Sequence, residues 1–529
     1  MITRKKWLWK HAAALLLVAA SGCYSYKQPA VATLGESYSQ RQKDSADDLL
    51  KDIFTLSLRD AQRIAIKNNP TYIAAYHSME AARLKYLQAW GAYSPTVSAS
   101  FDMGYNPTWE IVSGKNPRND KLSLSTGINA NLLIFDGFAR LFKLKAAKSG
   151  FNYQARMEED ACRTMMQAVA YAYNTVLLAI ENRRIAKEDR DFQISSLQNT
   201  RHKFEAGAAP LSDVLNFEIY VNSAEVSMVA ADYQYEVALY ALSQLMGYPE
   251  GTLPAHVKFP SEYKTQFADL PAVELYLDAA LANRPDLKAY REQLNISKYR
   301  VYQAWGAYSP TVNGFFNWGY SRGENHYNDI RPTTESEETH LSMGISADWV
   351  IFNGAVRLNQ LREAKANQAV AEYQVAAQWF KVISEVRTAY ANYVQNVRKT
   401  KLFAKIRTLS SQQRDLVADE YNAGKAELTR LNEAQRDLVE AETSLASSYI
   451  NVQNAKAQLT AAVGGTSADY YMNNEVSDNI PGLEGVASAE KAVEDGKGGA
   501  QTEPAEAPGL TRDFNNAPAI PDSATAGQK

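Results

Sequence analysis

Twelve residues of this chain are written almost identically twice. Tyr86-Leu87-Gln88-Ala89-Trp90-Gly91-Ala92-Tyr93-Ser94-Pro95-Thr96-Val97 returns as Val301-Tyr302-Gln303-Ala304-Trp305-Gly306-Ala307-Tyr308-Ser309-Pro310-Thr311-Val312, shifted by 215 positions. Ile134-Phe135-Asp136-Gly137 returns as Ile351-Phe352-Asn353-Gly354, and Gly207 and Gly247 return as Gly424 and Gly464, all shifted by 217. Asn69-Pro70 and Arg284-Pro285 open the two copies. A duplicated chain must build one plan twice. The copies are read as residues 56–250 and 271–465, joined by a linker at 251–270.

Within a copy the order is a helix, a pair of strands and two long helices. The first helix of copy one, residues 72–93, stops at Ser94-Pro95, where proline forbids continuation. Strict alternation follows. Val97, Ala99, Phe101, Met103 and Tyr105 share one face, with Thr96, Ser98, Ser100 and Asp102 on the other. The return run sets Leu122, Leu124, Ile128, Ala130 and Leu132 against Ser123, Ser125, Asn129 and Asn131, and copy two repeats both runs. Such strands suit a water-filled transmembrane barrel. They also suit an ordinary half-buried sheet. Four strands cannot enclose water, because even eight only just leave room for side chains. A barrel spanning lipid would therefore have to be shared between chains.

The helical runs favour the barrel. In 428–463, Leu431, Leu438, Leu445, Val452 and Leu459 recur every seventh residue, each followed three residues later by Ala434, Ala441, Ser448, Ala455 and Ala462. Copy one has Val214, Val221, Met228, Tyr235 and Leu242 in the same frame, followed by Phe217, Ala224, Ala231, Ala238 and Leu245. This is a heptad seam with one line kept small, so that helices approach closely. The runs before them, 138–204 and 355–421, would each extend roughly 100 Å at 1.5 Å per residue. Helices of that length belong to a tube.

Arg4, Lys5, Lys6 and Lys10 precede an apolar run, Ala12 to Ala20, that is too short to span a bilayer. The run closes on Ala20-Ser21-Gly22-Cys23, which resembles a lipoprotein signal with Cys23 as the acylated first residue after removal of 1–22. Residues 23–55 would then tether Cys23 to the body. Cys162 is left as a lone thiol in a helix, a small buried hydrophobe. A net charge of −3 gives no electrostatic case for nucleic acid. The histidines have no zinc-ligand spacing, no phosphate-binding GxxxxGK[ST] loop occurs, and the helical carboxylates lie beside Lys and Arg. Neither an enzyme, a cofactor nor a metal site is expected. From about Asn473 the composition turns to Ala, Gly, Pro, Glu and Asp, and 466–529 is read as a disordered tail.

Taken together, the repeated Asn-Pro and Arg-Pro helix starts, Ser-Pro strand entries, Ile-Phe-Asp/Asn-Gly exits and glycine turns resemble the TolC-like outer membrane efflux protein family, in its lipoprotein branch. The resemblance runs from about Leu56 to Gly464. It implies a mainly α fold with a transmembrane β-barrel, assembled as a homotrimer from a duplicated α-hairpin/β-hairpin repeat. Three chains would share a twelve-stranded barrel continued by a trimeric α-barrel. Loops Asn106–Asp120 and Arg322–Thr339 would face outside. The Gly207 and Gly424 turns would form a periplasmic tip meeting an adaptor protein and an inner-membrane pump. The implied function is an outer-membrane tunnel of a tripartite efflux system, with type I protein secretion as the alternative. A pore-less periplasmic coiled-coil lipoprotein would explain the heptads but not the four strands. The resemblance also places a gate at the tip, in which Tyr421 donates to Asp213. The family's arginine partner falls at Ala426, leaving Lys425 as a substitute, and Arg430 and Glu433 occupy its acidic constriction.

Overall fold

The computed structural model describes residues 50–51, 53–109, 118–248, 251–254, 256–260, 267, 270–327 and 334–465. Cys23, the signal, nearly all of the tether and the tail 466–529 lie outside these residues. Copy one contains α1 (Leu58–Asn68), α2 (Pro70–Gly91), β1 (Thr96–Trp109), β2 (Arg118–Phe135), α3 (Ala139–Glu205) and α4 (Leu211–Leu245). Copy two contains α5 (Val273–Asn283), α6 (Pro285–Gly306), β3 (Thr311–Tyr327), β4 (Thr334–Asp348), α7 (Val356–Asn422) and α8 (Leu428–Val463).

Both short-helix pairs turn where the sequence places a proline at the second helix's first position. Asn69 caps α2, its Oδ1 accepting the N–H groups of Thr71 and Tyr72 at 2.9 and 3.2 Å. α2 begins at Pro70 and ends at Gly91, two residues earlier at each end than the expected 72–93. The four strands form one antiparallel sheet in the order β1-β2-β3-β4. Thr96 pairs with Asn131, and its counterpart Thr311 pairs with Asp348. The alternating faces are those expected: Val97, Phe101, Met103, Ile128, Leu341, Met343 and Ile345 are exposed on one side of the sheet. The strands run further than expected. Asn106 to Trp109 pair with Lys121 to Arg118, and β3 continues to Tyr327, so the connections are shorter than Asn106–Asp120 and Arg322–Thr339. Backbone pairing needs no apolar side chain, and Tyr105 still donates to Asp120 at 2.8 Å in the polar stretch.

α3 and α7 are each 67 residues, about 100 Å of helix. The heptad lines pack as expected. Phe217, Ala224, Ala231 and Ala238 of α4 are buried, as are Ala434, Ala441, Ser448, Ala455 and Ala462 of α8. Small side chains there let α4 lie close on α3 and α8 close on α7. Arginines of the long helices reach acids of the short ones across these pairs. Arg201–Glu218 (2.6 Å), Arg183–Asp232 (2.5 Å) and Arg407–Glu442 (2.8 Å) are examples. Cys162 is fully buried in α3, as expected. It sits in the largest apolar cluster, with Leu56, Ile64, Met166, Val169, Val176 and Leu242. No helix among the described residues is long and apolar enough to cross a membrane.

Candidate functional site

Two reversals build the tip. After α3, Gly207 takes φ +72° and the Ala208 N–H donates back to Lys203 O at 2.7 Å. After α7, Gly424 takes φ +71° and the Lys425 N–H donates to Glu420 O at 2.8 Å. At either glycine a Cβ would meet nothing within 4 Å, so the left-handed backbone, not crowding, selects glycine.

Tyr421 stands one turn above Gly424. Its ring meets Phe217 edge-on at 6.5 Å, and the Lys203 ammonium lies 4.5 Å from the ring centre. Its hydroxyl lies 3.5 Å from Thr200 Oγ1, a long contact. These partners belong to the first hairpin, so Tyr421 ties α7 to α3 and α4. Beneath it Leu197, Val214, Phe217, Val417, Leu428, Leu431 and Ala434 form an apolar plug that joins the two hairpins. Asp213 lies in the first turn of α4, a favourable place for a negative charge. Its carboxyl has no side-chain partner among the described residues, and no hydrogen bond joins it to Tyr421 within one chain. Arg430 pairs with Glu420 at 3.3 Å in an exposed contact. Lys425 and Glu433 are exposed, without side-chain partners among the described residues.

Thr200, Lys203 and Phe217 were not legible in the sequence, because they approach Tyr421 only when the two hairpins lie side by side. A polar layer higher up was missed for the same reason: Gln435 of α8 donates to Asp189 of α3 at 2.9 Å. The second copy's helix junction holds a buried ion cluster. Arg284, 1% exposed, makes a two-pronged contact with Asp286 at 3.0 and 2.5 Å and reaches Glu385 at 2.5 Å. Burial pushes the Asp286 carboxyl up, but the Arg284 hydrogen bond and charge outweigh it and hold Asp286 below the usual carboxylate range. Arg163 lies 4.0 Å from Asp286 and Lys381 lies 3.8 Å from Glu385, so each carboxylate also has a second cation, which is a structural arrangement. No group of His, Cys, Asp and Glu able to hold a metal occurs among the described residues.

The sheet meets the helices at a duplicated staple. Gly137-Phe138 and Gly354-Ala355 both take two successive left-handed residues, with φ between +65° and +67°. Arg140 then donates to Ala92 O and Leu133 O at 3.1 and 2.8 Å and lies over the Tyr93 ring. Its counterpart Arg357 donates to Ala307 O and Ile351 O at 3.1 and 2.8 Å and lies over Tyr308. Long helices are thereby locked to the ends of the strands.

Residues 62–248 and 276–465 both match the family model described as "Outer membrane efflux protein". The chain belongs to the outer membrane efflux protein family. This is a family of outer-membrane channels, not of enzymes. Relatives include the alkaline protease secretion protein AprF of Pseudomonas aeruginosa, 23% identical over 413 residues, covering 73% of this chain and 82% of AprF. The outer membrane protein TolC of Vibrio cholerae is 21% identical over 429 residues, covering 80% of this chain and 93% of TolC. Among solved structures, the Campylobacter jejuni CmeC outer membrane channel superposes with a TM-score of 0.65 at 18% identity, over 90% of this chain and 94% of CmeC. The fold is that of this family's channels, a helical barrel continued by a β-barrel.

Proposed function

We propose that three copies of this chain assemble into a tunnel that crosses the outer membrane as a twelve-stranded barrel and the periplasm as an α-barrel. The observation that carries this is the four-stranded sheet. One of its faces is apolar and exposed, the other is polar, its two edges β1 and β4 are open, and its strand ends pass directly into 67-residue helices. Open strand edges in lipid leave backbone groups unpaired, which no bilayer tolerates. Closure by further copies removes them. Cys23 would carry the lipid that tethers residues 23–55 along the barrel.

The tip is the gate and the docking end for a periplasmic adaptor, beyond which an inner-membrane pump supplies energy. The sequence contains no GxxxxGK[ST] phosphate-binding motif. Tyr421 holds the second hairpin against the first, and Asp213, Lys425, Arg430 and Glu433 lie where neighbouring copies would bring them together. Small molecules are the cargo on this reading. Protein cargo is the second reading, favoured by the likeness to a protease secretion protein.

Single-channel conductance in planar bilayers tests this. The purified assembly is expected to conduct weakly and steadily, and Tyr421→Phe combined with Asp213→Ala is expected to raise the conductance clearly. Equal conductance in both would retain the tunnel and remove this pair from the gate; a verified trimer that never conducts would overturn the tunnel.

A further inference from the structure

The helix ends that meet the sheet are not charged like the rest of the chain. Overall the sequence carries 56 Lys and Arg against 59 Asp and Glu. Residues 83–91, 139–148, 298–306 and 356–365, the stretches of α2, α3, α6 and α7 next to the strands, carry eleven Lys and Arg against one acid, Glu363. In α3 no acid occurs between Ala139 and Glu158, about 28 Å of helix. A merely solvated helix face ordinarily mixes both signs.

The repeat separates charge from side-chain identity. Arg83 and Lys85 of α2 correspond to Lys298 and Arg300 of α6, and Lys145 and Lys148 of α3 correspond to Arg362 and Lys365 of α7. Three of these four pairs exchange lysine for arginine. The two side chains share a positive charge but not a hydrogen-bonding geometry, so the retained quantity is charge. Arg140 and Arg357 are kept as well, but they are occupied in the staples. Arg83 pairs with Glu80. Lys85, Lys145, Arg300 and Arg362 are exposed and make no ion pair among the described residues. Each lies six residues from its helix end at Gly91, Ala139, Gly306 or Val356, so all four stand at one level, about 9 Å from the strands. Lys148 and Lys365 follow about 5 Å further on.

Between these cations and the apolar face of the sheet lies an aromatic layer. Trp90, Trp305, Trp349, Phe138 and Phe352 are between 51% and 83% exposed. Trp349 Nε1 donates to Tyr308 O at 3.1 Å, which ties its ring to the end of α6. The order along the molecule is therefore apolar strand, exposed aromatic ring, unpaired cation. A bilayer leaflet presents hydrocarbon, headgroup boundary and phosphate in the same order.

We propose that this collar binds the anionic headgroups of phospholipids in the periplasmic leaflet around the barrel. The inference rests on the membrane reading above and needs only that the sheet lies in lipid. Charge complementarity and continuity with the apolar sheet face both favour this occupant. Lys298 and Arg300 are two positions apart, about 200° around the helix, as are Arg83 and Lys85, so neither pair can point wholly into a lumen. A cation beside an anionic surface contributes about 1 kcal/mol, and screening confines the effect to roughly 8 Å at physiological salt. Lysine and arginine stems extend toward the interface and shorten the gap. The level of Lys85, Lys145, Arg300 and Arg362 therefore dominates, ahead of Lys148 and Lys365.

Tryptophan quenching by brominated lipids tests this on the full-length protein reconstituted in bilayers. Trp109→Phe with Trp318→Phe leaves Trp90, Trp305 and Trp349 to report the junction. Brominated phosphatidylglycerol is expected to quench at roughly fivefold lower mole fraction than brominated phosphatidylcholine, the factor that one interfacial cation supplies. Combining Lys85→Gln, Lys145→Gln, Arg300→Gln and Arg362→Gln is expected to bring the two lipids to parity, while Lys85→Arg with Lys145→Arg keeps the preference. Salt at about 0.5 M, where the screening length is roughly 4 Å, is expected to abolish it in the unsubstituted collar, which decides the matter even if the glutamine variant fails to assemble. Equal quenching by both lipids at low salt would overturn the proposal, as would a preference that survives high salt or the four glutamines. Lost anion selectivity in the variant channel with unchanged lipid preference would assign these cations to cargo in the lumen and overturn it too. Quenching by neither lipid would overturn the membrane reading and the proposal together.

Discussion

Among the residues, glycine separates two kinds of constraint. Gly207 and Gly424 turn in open space, so an added methyl there meets only the left-handed backbone. Gly247 and Gly464 also have positive φ, but a Cβ would lie 2.5 Å from Asn68 O and 2.9 Å from Arg284 Cα respectively. These two glycines let the ends of α4 and α8 press against the starts of α2 and α6. Alanine at Gly424 is expected to cost about 1 kcal/mol. At Gly464 strain and overpacking combine, for roughly 2–4 kcal/mol. Thermal melts followed by helical circular dichroism should show Gly464→Ala falling well below Gly424→Ala; equal losses would mean the junction relaxes freely. The same scale shows where reading a sequence stops. Gly424 announces its turn because few other residues tolerate that backbone. Tyr421 announces nothing about Thr200, Lys203 or Phe217, since a residue's local pattern does not encode a neighbour more than two hundred positions away.

For the elements, packing outweighs charge. The seam of small residues on α4 and α8 is buried along nearly its whole length, and there is no room for a larger side chain. Ala441→Leu is expected to destabilise by roughly 1–3 kcal/mol through overpacking. Arg201 and Glu218 pair at 2.6 Å, but their side chains are 53% and 40% exposed. After solvent screening, Arg201→Ala is expected to cost less than about 1 kcal/mol. Comparing the two melts decides the ranking, and a larger loss in Arg201→Ala would reverse it. Element type and order were legible because heptads and strict alternation are strong periodic signals. Element ends were less so. Asn106 and Pro107 look like turn residues, yet both lie in β1, where backbone pairing continues past the apolar stretch. The Arg140 and Arg357 staples were also hidden, because an arginine in a helix's first turn ordinarily reads as a solvated charge.

For the whole molecule, the duplicated chain is an incomplete object. A single sheet of four strands, open at both edges and apolar on one exposed face, is stable in lipid only when closed. The unboiled protein is expected to migrate on denaturing gels as an SDS-resistant trimer that collapses to monomer on heating. Monomeric migration of the unboiled, membrane-extracted protein would count against the shared barrel. The fold's identity was legible at this scale because repetition compounds weak signals. Six or more modest motifs recurring in order carry information that none holds alone.

The equal lengths of α3 and α7 have a consequence for how such a chain can change. Thr96 to Asn131 spans two residues fewer than Thr311 to Asp348, and the difference falls within the strand hairpins. From there to Gly247 and Gly464 the copies keep step without a gap, although most of their side chains have diverged. One residue added inside a single long helix would rotate everything beyond it by about 100° and advance it by about 1.5 Å. Buried alanines would swing outward, and one stave would overshoot its neighbours. Substitutions are therefore tolerated along the helices in a way that insertions are not, and freedom in length is confined to the ends of the strands.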